Sequence, residues 1–344
     1  MTPTVPYRFA IALFAEDQTS LGTFAVEHDW EPVCEWTRLH YQRRGELPLD
    51  GDDGASVHPH WDASLGEPWC SGYRVEMARN GQPPLAFRFP NSHFRDVASM
   101  AASSLVESGR LTAGERYSYV LVAYPEPAAP PEPGGLRVTN ASPRMPARPA
   151  SIADYLRRSS PQGEVDPGDM PVFVAPQVLE DAARQTRACE GTETGSILIG
   201  SLWRDEQSHE LFAEVTAQIP AEHTAGTNVK LTFTPKTWSA ASAALQLRGR
   251  GEIPIGYMHS HPVRTWCKDK KCTPESQKSC RLARDFFSAD DVTVMRAAFP
   301  RAYCVAMVAN DTAFTDLTFS MFGNRQGLIQ PRGFYLLEES SHGA

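Results

Sequence analysis

The chain has 344 residues, 41% hydrophobic and 22% charged, the composition of a soluble globular protein too long for one ordinary core, so two domains are expected. A net charge of −8 argues against broad nucleic-acid binding, and seven cysteines, an odd number, argue against a disulfide framework. The first residues lack a basic-then-apolar leader, and no apolar run reaches the ~18 residues of a membrane span, so a cytoplasmic protein with neither nucleic acid nor membrane as partner is expected.

Residues 7–14 read as a buried strand, 30–41 carry mixed helix and strand signals, 94–108 show apolar residues at helical spacing, and 117–124 are β-branched and aromatic. These predict a small α+β domain over residues 1–124, of no nameable type, suited to partner or substrate recognition. Eight prolines between Pro125 and Pro149 then predict an extended linker, taken to run over 125–169. A second domain is expected over 170–325, beginning with a strand at 172–174 and a helix at 177–189. Strands at 211–219 and 229–234 lead to a helix at 235–248, where Pro235 suits the first helical position. A strand around residue 259, a helix from residue 288 and strands at 302–309 and 313–322 follow, with 326–344 as a tail. The alternation predicts an α/β sandwich, a mixed β-sheet with flanking helices.

Within that domain lie His259-Ser260-His261-Pro262 and Ser288-Ala289-Asp290-Asp291. Strand residues two apart share a face, so the two imidazoles can converge on one point. Two His and one Asp suit Zn²⁺ and leave a fourth position open, as in a hydrolytic rather than a structural site. Ser288 with an acid three residues on is also a helix capping box, a rigid way to aim Asp291. The chain holds a second copy of the spacing, His58-Pro59-His60, where Pro59 removes a ladder donor; it is read as a loop.

With Glu193-Thr194-Gly195-Ser196 upstream, the order of these pieces resembles the JAMM (MPN-plus, or JAB) zinc metalloprotease family, over about residues 170–325. The resemblance implies a JAB-like sandwich, one catalytic Zn²⁺ on His259, His261 and Asp291, Glu193 as general base and then acid, and Ser288 as oxyanion donor. It implies an isopeptidase or peptidase cutting after the C-terminus of a ubiquitin-like protein, with activating or conjugating enzymes of a prokaryotic-type pathway as further partners. The alternatives are a peptidase trimming a sulfur-carrier protein, and a non-catalytic scaffold of the MPN-minus kind.

Two departures stand out. Ser196 replaces a Gly, and 26 residues separate His261 from Ser288, far more than the family pattern has. The insertion, 263–287, carries Cys267, Cys272 and Cys280, which fit a second, structural zinc one ligand short, thiols, or a regulatory disulfide. Its basic residues, Lys270 and Lys271 among them, are either solvated or substrate-binding.

Overall fold

The computed structural model describes residues 3–50, 54–64, 66–126, 145–189, 191–221, 233–267, 273–280, 286–312 and 316–338. The chain is mixed α/β and divides into two compact units, Met1–Tyr41 with Asp50–Arg144, and Gln42–Leu49 with Met145–Ala344. No helix among the described residues is long and apolar enough to cross a membrane.

The first unit contains β1 (Tyr7–Ala15), β2 (Ser20–Ala25), all but the last two residues of helix α1 (Glu31–Arg43), β3 (Ala55–Asp62), β4 (Trp69–Arg79), β5 (Gln82–Pro90), helix α2 (Arg95–Glu107) and β6 (Tyr117–Pro125). Its six strands pair antiparallel in the order β2-β1-β6-β4-β3, with β5 also on β4. Phe9, Ile11 and Leu13 alternate inward along β1 and are buried with Phe94 and Ala98. The ambiguous 30–41 segment is helical, with Val33, Cys34 and Leu39 buried; tertiary packing decides it, not local propensity. His58-Pro59-His60 is not a loop. It lies inside β3, at the sheet edge, where a missing N–H removes no interior ladder bond.

The second unit is built on a ten-stranded mixed sheet. Its strands are β7 (Ala147–Pro149), β8 (Ser159–Gln162), β9 (Val172–Val174), β10 (Gly195–Arg204), β11 (Leu211–Pro220), β12 (Ile253–His261), β13 (Val305–Asn310), β14 (Thr318–Arg325), β15 (Leu328–Arg332) and β16 (Phe334–Leu337). They run in the order β15-β14-β13-β12-β10-β11-β9-β16-β8, with β7 parallel to β10. The helices are α3 (Ile152–Arg157), α4 (Pro176–Ala188), α5 (Pro235–Arg248), α6 (Val263–Trp266), α7 (Pro274–Ser279) and α8 (Ala289–Ala298).

Two of the expected boundaries are corrected. The supposed linker 125–169 supplies β7, α3 and β8, and the supposed tail 326–344 supplies β15 and β16. Prolines hid both. Pro149 ends a three-residue strand, Pro161 sits in β8 at the end of the sheet order, and Pro331 sits in β15 at the other end. Of the strand expected at 229–234, residues 229–232 lie outside the described residues, and Phe233 and Thr234 are not in a strand.

Central strands β10, β12 and β13 are buried almost throughout, the signature of a sheet covered on both faces. On one face Ile197, Ile199, Tyr257, Ala306 and Val308 pack with Ala241 of α5 and with Met295 and Phe299 at the end of α8. On the other, α4 lies against β11 and its Gln185 accepts a hydrogen bond from Ser196, 2.7 Å. The α5 boundaries are written locally. Thr234 caps the first turn, Pro235 opens it, and Gly249 ends it at φ +60° with its N–H on the Leu245 carbonyl.

Close strand contact has a direct consequence at Gly256, three residues before the first histidine. A Cβ there would sit 1.7 Å from the Val305 carbonyl oxygen, a backbone atom in the middle of the sheet. Gly256→Ala is therefore expected to destabilise the chain by at least about 3 kcal/mol, and an unchanged urea denaturation midpoint would refute this.

Candidate metal site

Strand β12 ends in His259-Ser260-His261, and its period of two puts both imidazoles on the face that α8 covers. Their Nε2 atoms approach to 3.0 Å, with ring centroids 4.8 Å apart. The third partner comes from the start of α8. Asp291 Oδ1 lies 3.4 Å from His259 Nε2, and ligand atoms from all three residues fall within 4.8 Å of one another. Among the described residues this is the one group of three or more His, Cys, Asp or Glu side chains that so converges.

These separations fit a metal ion. Ligands at ~2.0–2.1 Å in a tetrahedron stand ~3.3 Å apart. Two of the three edges, 3.0 and 3.4 Å, bracket that figure, and the third lies within 4.8 Å. Burial pushes the His259 imidazole below its ordinary value, and Asp291 opposes the shift. Burial, then the neighbouring His259, pushes His261 down to about 3, against Asp291 and Asn310. Both rings are thus neutral near pH 7, as metal ligation requires. Two lone pairs aimed at one point repel unless a proton or a cation lies between them.

Asp291 is aimed by a capping box. Ser288 Oγ accepts the Asp291 N–H at 3.1 Å, while Asp291 Oδ2 accepts the Ser288 N–H at 2.8 Å and its hydroxyl at 2.7 Å. The cap reading and the ligand reading are therefore the same structure, with one carboxylate oxygen for each. Tyr257 locks α8 to the strand, its buried hydroxyl donating to the Asp291 carbonyl, 3.1 Å.

Glu193 precedes β10, whose Gly195 pairs with His259. It stands outside the converging group yet close enough to feel it. Burial, then the Asp291 charge, raises its carboxyl from 4.5 to about 7. A carboxylate poised near neutrality beside a ligand cluster can take and return a proton.

Ring packing orients the histidines. His259 Nδ1 is buried with no hydrogen-bond partner among the described residues, and the rings around it set its orientation by packing. Tyr257 stacks along its ring at 5.6 Å and 19°, and Phe287 stands 6.0 Å away. Phe286 stacks on His261 at 4.3 Å and 19°, and Trp266 lies 5.5 Å off. Three of these four rings come from the described ends of the insertion. Sequence reasoning missed them. Tyr257, two residues before His259 on the same face, carried a readable signal; the others did not, because only the fold brings residues 266, 286 and 287 to the histidines.

The remaining candidates are less gathered. Cys267 is buried and Cys280 half-buried, while Cys272, Lys270 and Lys271 lie outside the described residues. Cys304 is packed in the core with Tyr257 and Phe299. His58 and His60 belong to no converging group among the described residues; His58 Nε2 meets Ser56 Oγ at 3.0 Å.

No protein-family model matches the chain, and a search of curated proteins finds no match. Among solved structures, the solution structure of protein DSY2949 from Desulfitobacterium hafniense is 18% identical with a TM-score of 0.35, the match covering 50% of this chain and 96% of that one. A likeness that faint bears on neither fold nor function.

The Glu193 shift has a sign that can be tested. In the metal-free fold the carboxyl keeps its proton up to about pH 7, whereas an unfolded chain releases it near 4.5. The folded state therefore loses stability as pH rises from about 4.5 to about 7, and carries the full cost above that. Allowing for partial exposure, the cost is about 1–2 kcal/mol. Metal-free Glu193→Gln should be more stable than wild type by that amount at pH 8, and no more stable below pH 4.5. Equal urea midpoints at both pH values would exclude a shifted Glu193.

Proposed function

We propose that the second unit is a metal-dependent amide hydrolase of the JAMM kind, with Zn²⁺ the ion that suits its ligands. The convergence of His259 Nε2, His261 Nε2 and Asp291 Oδ1 beside a half-buried glutamate carries this reading. His259, His261 and Asp291 would hold the ion, and no fourth protein ligand converges with them among the described residues, which leaves a position for reactants. A divalent ion there supplies Lewis acidity, acidifying a water and polarising a carbonyl.

The chain's own groups do the rest. Glu193, anionic once a cation offsets Asp291, accepts the proton of the attacking water and delivers it to the leaving amine. That delivery matters because an amine leaves poorly unless protonated. Ser288 is the candidate donor to the oxyanion, a contact worth on the order of 3 kcal/mol. At rest its hydroxyl donates to Asp291 Oδ2. Turning it toward substrate leaves the Ser288 N–H still holding the carboxylate. The aromatic rings around both histidines exclude water from the sides of the site, which strengthens each of these interactions.

The substrate we propose is the C-terminal amide of a ubiquitin-like protein joined to a lysine or to a following segment. The layered unit, α4 on one face of a mixed sheet and α5 with α8 on the other, supports a sandwich of the JAB kind. The three cysteines of the insertion remain candidates for a second, structural zinc, with Cys272 outside the described residues.

Purified full chain should contain at least one tightly held zinc, measured by elemental analysis, and His259→Ala should hold one fewer than wild type. Incubated with a panel of ubiquitin-like fusions, wild type should cleave at least one. Glu193→Gln should cut that substrate about 10²–10⁴-fold more slowly while keeping its metal. A chelator should abolish cleavage and added Zn²⁺ restore it. A metal-free chain, with Glu193→Gln indistinguishable from wild type, would make this unit a scaffold instead.

A further inference from the structure

We infer that Ser260, the residue between the two histidines, is a positioning residue for Glu193; the inference rests on the hydrolase reading and assigns Ser260 no contact with substrate or metal. Strand alternation turns Ser260 to the face opposite His259 and His261, where it is fully buried. There its Oγ accepts the Thr194 N–H at 2.9 Å and lies 3.1 Å from the Thr194 hydroxyl. Its own N–H donates to the Thr194 carbonyl, also 2.9 Å.

The position of this clasp gives it meaning. The β10–β12 pairing ends at Gly195 opposite His259. Beyond that pair, the Ser260 side chain does what a ladder carbonyl would have done. The N–H it holds belongs to the peptide bond joining Glu193 to Thr194, so Ser260 fixes the plane from which the glutamate side chain departs. On the other side Gly191 runs close beside Thr265, where an added Cβ would stand 2.9 Å from Thr265 Cγ2. Proton transfer demands that an acid–base group stay within a fraction of an ångström of its place, and a carboxylate ahead of its strand lacks a full ladder to keep it there. The two imidazoles do not share the dependence. They sit on the opposite face, and β12 keeps its parallel pairing with β13, Ser260 against Ala309.

The test uses full-length protein loaded with Co²⁺, whose visible d–d bands report the ion's surroundings. Wild type, Ser260→Ala, Ser260→Thr and Glu193→Gln are compared for Co²⁺ affinity, by competition with a chromogenic chelator, and for spectrum. Ser260→Ala is expected to weaken Co²⁺ binding by less than about tenfold, below the usual cost of removing a residue that holds a ligand. Its bands are expected to move from those of wild type toward those of Glu193→Gln, and Ser260→Thr, which keeps the hydroxyl, to restore them. Where alanine compromises folding, the nearly isosteric Ser260→Cys, a poor acceptor, is expected to shift the bands part of the way. A wild-type spectrum in Ser260→Ala, beside a distinct one in Glu193→Gln, overturns the inference alone. So does a loss of affinity beyond about tenfold, which would make Ser260 a support for the ligands. A wild-type chain that takes up no Co²⁺, or a Glu193→Gln spectrum equal to wild type, overturns the hydrolase reading together with the inference.

Discussion

The Asp291 carboxylate divides its two oxygens between folding and the site, and the rest of the arrangement depends on that division. Oδ2 closes the capping box with Ser288, while Oδ1 faces His259. A helix start with its orphan N–H groups satisfied is rigid. The carboxylate is thereby held in place without an ion, so a cation taken up there would remove little further rotamer freedom from it. Tyr257 extends the same economy by tying the Asp291 backbone to the strand that bears the histidines. Strand and helix thus meet at a distance set by a cap and a phenol.

The 25-residue segment 263–287 at such a place ought to be disruptive, and its anchoring explains why the strand and helix survive it. β12 reaches His261 and α8 begins at Ala289. At one end of the insertion Arg264 pairs with Asp311, 3.3 Å, and donates to the Thr312 carbonyl. At the other, Phe287 stacks on Phe322 of β14 at 4.6 Å. Held at both ends, the segment turns Trp266 and Phe286 onto His261. The same rings replace water around the imidazoles, which is the physical source of their lowered proton affinity.

Legibility followed the range of the forces involved. Helices α5 and α8 could be read because their caps lie within a few residues of each other: Thr234, Pro235 and Gly249 for one, Ser288 and Asp291 for the other. The shared face of His259 and His261 is a matter of strand period alone. Short strands were lost wherever proline carried a second meaning. β7, β8 and β15 each contain one, and at a sheet edge proline is tolerated while composition reads it as linker or tail. The Ser288 hydroxyl could be named as a donor but not seen to be occupied, since its rest position depends on the Asp291 rotamer. Nothing in the spacing of residues 193, 260 and 291 could show a carboxyl held near neutrality; desolvation is a property of the folded surroundings.

The pairing of β8 with β16 bears on how the second unit folds. β8 comes early in that unit and β16 is its last described strand, and they lie antiparallel, Gln162 beside Phe334. β16 also runs parallel to β9, so it is wedged between two strands from the early part of the unit. Pairings that distant in sequence carry a large loop-closure cost, so this end of the sheet is the slow one to close.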